Sequence, residues 1–160
     1  MNQKILHLLR ENARLTNEQI ARRVGLPVER VATAIEDLEE QKAIVAYKAI
    51  INPEFVSEEA VKAIIEVKVT PKRGHGFDEI ARRIGGFPEV QSLYLMSGGT
   101  DFLVFMEARS IKDIARFVTE KLATQEDVQS TTSHFVLKHY KEEGVVLHDE
   151  GPTCRLAVTP

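Results

Sequence analysis

Two short stretches carry residue types whose spacing could do chemistry. The first is Ser97-Gly98-Gly99-Thr100-Asp101. Its paired glycines permit positive φ and leave backbone N–H groups uncovered, a seat for a carboxylate. Asp101 could accept an ammonium group, Thr100 or Thr132 could supply a hydroxyl, and His134 follows on the same later segment as Thr132. The same residues also fit a plain hairpin turn capped by Asp101. The second stretch is Gly25 to Gln41, GLPVERVATAIEDLEEQ. At 100° per residue it places Val28, Val31, Ile35 and Leu38 on one side of a helix. The opposite side holds Glu29, Arg30, Thr33, Glu36, Asp37 and Glu40, four carboxylates against one guanidinium.

The elements that must position these residues are legible from periodicity. Ile5, Leu8, Leu9 and Leu15 begin an apolar face at helical spacing, broken near Asn12 and Arg14. Thr16-Asn17-Glu18-Gln19 has the form of a capping box, with Thr16 at the N-cap. The helix that follows turns Ile20, Ala21 and Val24 inward and stops at Gly25. Pro27 suits the first turn of a third helix. Helix, short glycine-containing turn, helix is the helix-turn-helix outline. Ala43 to Ile51 has the content of a strand, a wing or a linker.

Beyond Asn52-Pro53 and a connector around Phe55 to Glu59 the pattern changes. Strands are expected over 63–70, 90–96, 102–108 and 131–140, and helices over 77–84 and 111–122. The order βαββαβ is the ferredoxin-like split arrangement, giving an α+β fold class. An internal echo supports it: Glu79-Ile80-Ala81-Arg82 is answered by Asp113-Ile114-Ala115-Arg116, and Val90-Gln91-Ser92 by Val128-Gln129-Ser130. Gln19-Ile20-Ala21-Arg22-Arg23 repeats the first helix motif in the other domain, so paired arginines alone prove no phosphate contact. Phe102-Leu103-Val104-Phe105-Met106 is apolar on both faces, which predicts that another chain covers the second one. The expected division is 1–51, a linker 52–62, 63–140, and an extension 141–160.

Three stretches in register resemble the Lrp/AsnC ("feast/famine") transcriptional regulators. They are Leu15 to Ala21 with Val24-Gly25-Leu26, Tyr47 to Pro53, and Leu95 to Leu103, the last similar to that family's Gly-x-x-Asp loop. The resemblance implies a homodimer built on facing sheets, often assembled into octamers. It also implies double-stranded DNA as a partner and a small effector, commonly an amino acid, bound in the C-terminal domain between dimers. The DNA-facing candidates are Thr16, Asn17, Arg22, Val28, Glu29, Arg30, Thr33 and Lys48. The effector candidates are Ser97, Gly98, Gly99, Thr100, Asp101, Thr132 and His134. In that family the second half of the reading helix is usually basic; here it is acidic. The runner-up reading is an oligomeric small-molecule-binding module whose DNA binding is weak or lost. Some proteins resembling this family catalyse a decarboxylation in haem biosynthesis, but only His134 would suit such a pocket, and no enzyme is expected.

Composition bounds the rest. The 160 residues carry a net charge of -3, with 43% apolar and 28% charged residues, an ordinary globular composition. The first fifty residues hold eight basic and seven acidic side chains, so a strong non-specific polyanion binder is not described. No apolar run is long enough to span a bilayer, the N-terminus is amphipathic at once rather than a signal sequence, and a cytoplasmic setting is expected. The lone Cys154 excludes an intrachain disulfide. The five histidines form no metal-ligand spacing, and neither a metal nor another cofactor is expected. Pro71 to Gly76, with Lys72, Arg73 and His75, reads as a βα turn before an anion site.

Overall fold

The computed structural model describes residues 1–52, 55–56, 60–70 and 76–147. They form two units, one ending at Ile50 and the other beginning at Ile51.

In the first unit, α1 spans Asn2–Glu11, α2 Asn17–Val24 and α3 Val28–Glu40. Helix α2 starts with a complete capping box: Gln19 N–H donates to Thr16 Oγ1 at 3.3 Å and Thr16 N–H to Gln19 Oε1 at 3.0 Å. It stops at Gly25, whose φ of 72° lies where a Cβ would be strained. The core is Ile5, Leu9, Ile20, Ala21, Val31, Ala34 and Leu38, one stripe from each helix. Each large side chain so buried contributes about 1.5–3 kcal/mol.

The strand expected over 43–51 is absent. Helix α3 closes through Lys42, a non-glycine at φ 56°, with Ala43 and Ile44 N–H both donating to Leu38 O. Ile44 packs on the helical core, and residues 45–52 then run without a ladder. A strand needs a neighbouring backbone, and three helices offer none. Val45 and Ile51 are left largely exposed.

In the second unit, β1 spans Val61–Val69, α4 Phe77–Gly85, β2 Val90–Leu95, β3 Phe102–Ala108, α5 Ile111–Phe117 and β4 Val128–Phe135. The sheet order is β2-β3-β1-β4, all neighbours antiparallel. One face of β1 and β3 (Ala63, Ile65, Val67, Phe102, Val104, Met106) packs on Ile80 and Ile84 of α4 and Ile114 and Phe117 of α5.

The internal echo has a structural counterpart. Val90 and Ser92 face consecutive residues Met106 and Phe105, and Val128 and Ser130 face Val69 and Lys68. Gln91 and Gln129 are thus the extra residues of two equivalent β-bulges, each at the start of a strand after a helix.

Three element bounds differ from expectation. The helix over 111–122 is α-helical only to Phe117 and widens into a π-helical turn over Val118–Leu122. The last strand starts at Val128 and ends at Phe135, opposite Ala63, two residues from the start of β1. His139 is therefore not on β4 with His134; it lies beyond it, 2.6 Å from Glu142 Oε2. Part of the extension folds back as a hairpin of β5 (Lys141–Glu142) and β6 (Val145–Val146). Leu147 behind it is buried, its carbonyl accepting from Asn52 Nδ2 at 3.0 Å. The anion-loop residues Lys72, Arg73, Gly74 and His75, and Cys154, lie outside the described residues.

Candidate functional site

The N-terminal unit presents α3 with Glu29, Arg30 and Thr33 exposed near its start. Val28 is partly buried against the core and so shares its surface between packing and contact. Thr33 Oγ1 donates to Glu29 O at 3.1 Å, so its hydroxyl is engaged within the helix. Arg22 of α2 lines a shallow groove with Glu18, Gly25, Leu26, Pro27 and Val28. Asn17 opens α2, and Lys48 lies exposed on the extended segment. The Thr16 hydroxyl is engaged at the helix end, and its hydrogen bond to Glu18 holds that carboxyl below its ordinary range.

The acidic half of α3 has a use that residue types alone do not show. Tyr47 Oη donates to Glu39 Oε1 at 2.7 Å. Burial first, and then this carboxylate, push the Tyr47 phenol up to about 12. Glu39 anchors the chain that leaves the helical unit.

In the C-terminal unit the loop from Met96 to Asp101 joins β2 to β3 and closes through Met96 N–H donating to Asp101 O at 2.8 Å. Ser97, Gly98 and Gly99 are exposed. Only Gly98 takes a left-handed φ, 122°; space around both glycines is open. Thr100 Oγ1 donates to Val67 O at 3.2 Å, and Asp101 Oδ2 accepts from Val69 N–H at 2.8 Å. Both candidate ligand side chains thus tie the loop to the end of β1, where Val69 lies beyond the last β1–β3 pair, Val67 with Phe102. A carboxylate has about four lone-pair sites, so Asp101 keeps acceptor capacity beyond that bond.

Thr132 and His134 sit elsewhere, on the sheet face away from the helices. The register aligns Thr132 with Glu66 and Leu103, and His134 with Ile64 and Phe105. His134 Nε2 lies 3.1 Å from Glu66 Oε1. The structure therefore does not gather the seven effector candidates in one cavity within this chain. Ser97 to Asp101 form one cluster at the strand ends; Thr132 and His134 belong to the open face. That face also carries Ile64, Leu103 and Phe105, half-buried by one another, and Tyr94, 54% exposed with its ring edge-on to Phe105 at 5.5 Å.

The comparisons place this architecture. A family described as "Lrp/AsnC ligand binding domain" matches residues 62–146, and one described as "Winged helix-turn-helix DNA-binding" matches residues 2–45. The uncharacterised regulator YugG of Bacillus subtilis is 49% identical over 98% of this chain and 95% of its own. The chain belongs to the Lrp/AsnC family of transcriptional regulators.

As an Lrp/AsnC regulator it is also similar to the leucine-responsive regulatory protein of Haemophilus influenzae, 25% identical over 87% of this chain and 83% of the other. The crystal structure of the Neisseria meningitidis regulator NMB0573 in complex with L-Met is 31% identical with a TM-score of 0.69, covering 88% and 90% of the two chains. The helix-turn-helix of this Lrp/AsnC member is accordingly its DNA-binding domain. No helix among its described residues is long and apolar enough to cross a membrane.

Sequence reasoning missed Glu39, Glu66 and Val69. Glu66 was within reach, because strand alternation puts it on the face of Ile64. The tie from Tyr47 to Glu39 and the bond from Val69 N–H to Asp101 join positions whose contact no periodicity encodes.

Proposed function

We propose that this regulator acts in the cytoplasm as a homodimer, assembled further into an octamer, that reads its operator with the first turns of α3 and responds to an amino acid at the β2–β3 loop. The observation that carries the reading is the division of α3. Arg30, Glu29 and Thr33 stand exposed at the end of a recognition helix that does most base reading, whereas Glu39 is turned to Tyr47. Arg30 addresses guanine, Glu29 accepts from cytosine N4, and Thr33 offers its methyl to thymine. Arg22, Asn17, Thr16 and Lys48 flank the groove as phosphate contacts or as groups that position them.

The dimer forms by closing the apolar open face of the sheet, Ile64, Tyr94, Leu103 and Phe105, on a second copy. The L-Met complex of the Neisseria relative supports an amino-acid effector. Uncovered backbone N–H groups at Gly98 and Gly99 suit its carboxylate, and the free capacity of Asp101 suits its ammonium. Each head binds weakly, and several heads on one assembly compensate by avidity.

The test is a fluorescence anisotropy titration of the DNA upstream of the chain's own gene at low salt, with and without L-methionine. Saturable binding that salt weakens and L-methionine modulates is expected. No binding at micromolar protein overturns the operator-reading part of the proposal; binding indifferent to every proteinogenic amino acid overturns the effector part.

A further inference from the structure

A second cleft, of about 250 Å³, opens on the helical side of the C-terminal unit. It is walled by α5 and its π-helical turn, by Glu89 ahead of β2, and by the end of β3. None of its residues belongs to the β2–β3 loop or to the open sheet face.

The π turn is the first sign that the cleft is built. Ala123 N–H reaches back to Val118 O at 2.8 Å, and Thr119 Oγ1 donates to Ala115 O at 2.9 Å. Such turns insert one residue into a helix and recur at functional sites. Here the wide turn carries Lys121, whose Nζ is paired with Glu89 Oε1 and lies 5.6 Å from the Phe87 ring centroid.

The second sign is an oxygen without a partner. Glu89 Oε2 is buried and accepts no hydrogen bond. The Lys121 hydrogen bond holds the Glu89 carboxyl below the usual carboxylate range, so the group is anionic at neutral pH. Its terminal torsion is broad, and a modest rotation turns the spare oxygen to a donor in the cleft.

The third sign is a guanidinium set at the rim. Asp113 Oδ2 accepts from Ser110 Oγ at 2.7 Å, and its Oδ1 lies 3.4 Å from Arg116 Nη2. This aims Arg116 while leaving most of its five donors unused. Buried Met106 and Phe117 give the cleft an apolar floor.

We propose that this cleft binds a free α-amino acid with a small apolar side chain, its ammonium on Glu89, its carboxylate on Arg116 and Lys121, and its side chain on Met106 and Phe117. The site is separate from the β2–β3 loop and does not depend on it. The volume equals that of about eight waters at ~30 Å³ each, the scale of an amino acid and too little for a nucleotide. Three lining carboxylates, Glu89, Asp113 and Glu120, stand against two cations, Arg116 and Lys121, a balance that disfavours a dianionic phosphate more than a zwitterion carrying its own ammonium, and no group of three metal-ligating side chains occurs among the described residues.

The chain holds three methionines, and they report the two places separately: Met106 lines the cleft, Met96 begins the β2–β3 loop, and Met1 is a control. The experiment is methyl NMR of full-length protein labelled at the methionine methyl carbons, titrated with unlabelled L-alanine, L-valine, L-leucine and L-methionine. The expected result is a saturable shift of the Met106 methyl with at least one of the four, retained in Asp101→Ala and weakened roughly tenfold or more in Glu89→Gln and in Arg116→Ala. A Met106 signal unmoved by all four at about 10 mM, tenfold above a ~1 mM dissociation constant, overturns the proposal. So does a shift of equal affinity in both cleft variants. Failure of the loop reading shows instead as a silent Met96, which leaves the cleft proposal untouched.

Discussion

The Tyr47 hydroxyl donates to Glu39 Oε1 at 2.7 Å, tying the segment that leaves the helical unit to the acidic half of its reading helix. Tyr47→Phe removes this bond and keeps the ring. It is expected to destabilise the helical unit by about 0.5–1.5 kcal/mol, the net worth of an exposed hydrogen bond. The effect depends on pH. The free phenol ionises near 10, and the folded one is pushed up to about 12, so its contribution is complete below pH ~10 and lost as pH rises towards 12. Urea melts of both proteins at pH 8 and about pH 11 should show the gap between them shrinking at the higher pH. A gap independent of pH would show that the fold does not hold the Tyr47 phenol above its free value.

The two halves of α3 should separate in DNA titrations. Arg30→Ala is expected to cost about 1–3 kcal/mol, a loss of roughly 5- to 150-fold, on the operator. Replacing Glu36 and Glu40 together by Gln should leave the slope of log K against log salt within about one unit of the wild type if, as proposed, only the first turns of α3 enter the groove. A slope steeper by two or more would put them in the groove.

Phe105 lies at the centre of the open face, edge-on to Tyr94 and level with Ile64. Phe105→Lys places an ammonium where a second sheet is proposed to pack, at the cost of a buried unpaired charge. Sedimentation velocity at micromolar concentration should then show a monomer with unchanged circular dichroism. A surviving dimer would move the interface to another surface.

Asp101 ties the loop to β1 and is proposed to hold the effector, two roles that substitution can separate. Asp101→Asn keeps an acceptor for Val69 N–H and removes the charge; Asp101→Ala removes both. The Ala variant should lose about 1–3 kcal/mol of stability, since it leaves a part-buried N–H unpaired, while the Asn variant loses less than about 1 kcal/mol. Calorimetric titration with L-methionine should find binding at the loop weakened in both alike. Full affinity in the Asn variant would assign Asp101 to the fold alone.

Much of this was legible from residues close together in the chain. Thr16 and Gln19 cap α2 as their spacing requires, Gly25 ends it, and the unbroken apolar run Phe102 to Met106 announces a sheet with two apolar faces. The repeated Val-Gln-Ser marks two equivalent bulges. Apolar content over 43–51 was misleading, because strand propensity is realised only beside a second strand. The loop from Ser97 to Asp101 was visible as a motif, but not that its carboxylate is spent in part on Val69.

The sequence by itself determined what local rules govern: helix ends, the βαββαβ order, the family, and an α3 whose carboxylates crowd its second half. Tertiary structure alone decided which carboxylates are committed, Glu39 to Tyr47, Asp101 to β1, Glu66 to His134 and Glu89 to Lys121. It also separated Thr132 and His134 from the glycine loop. The physical reason is range. Periodicity and capping act over a few residues, whereas a hydrogen bond between Glu89 and Lys121 exists only once the sheet has brought β2 and α5 together.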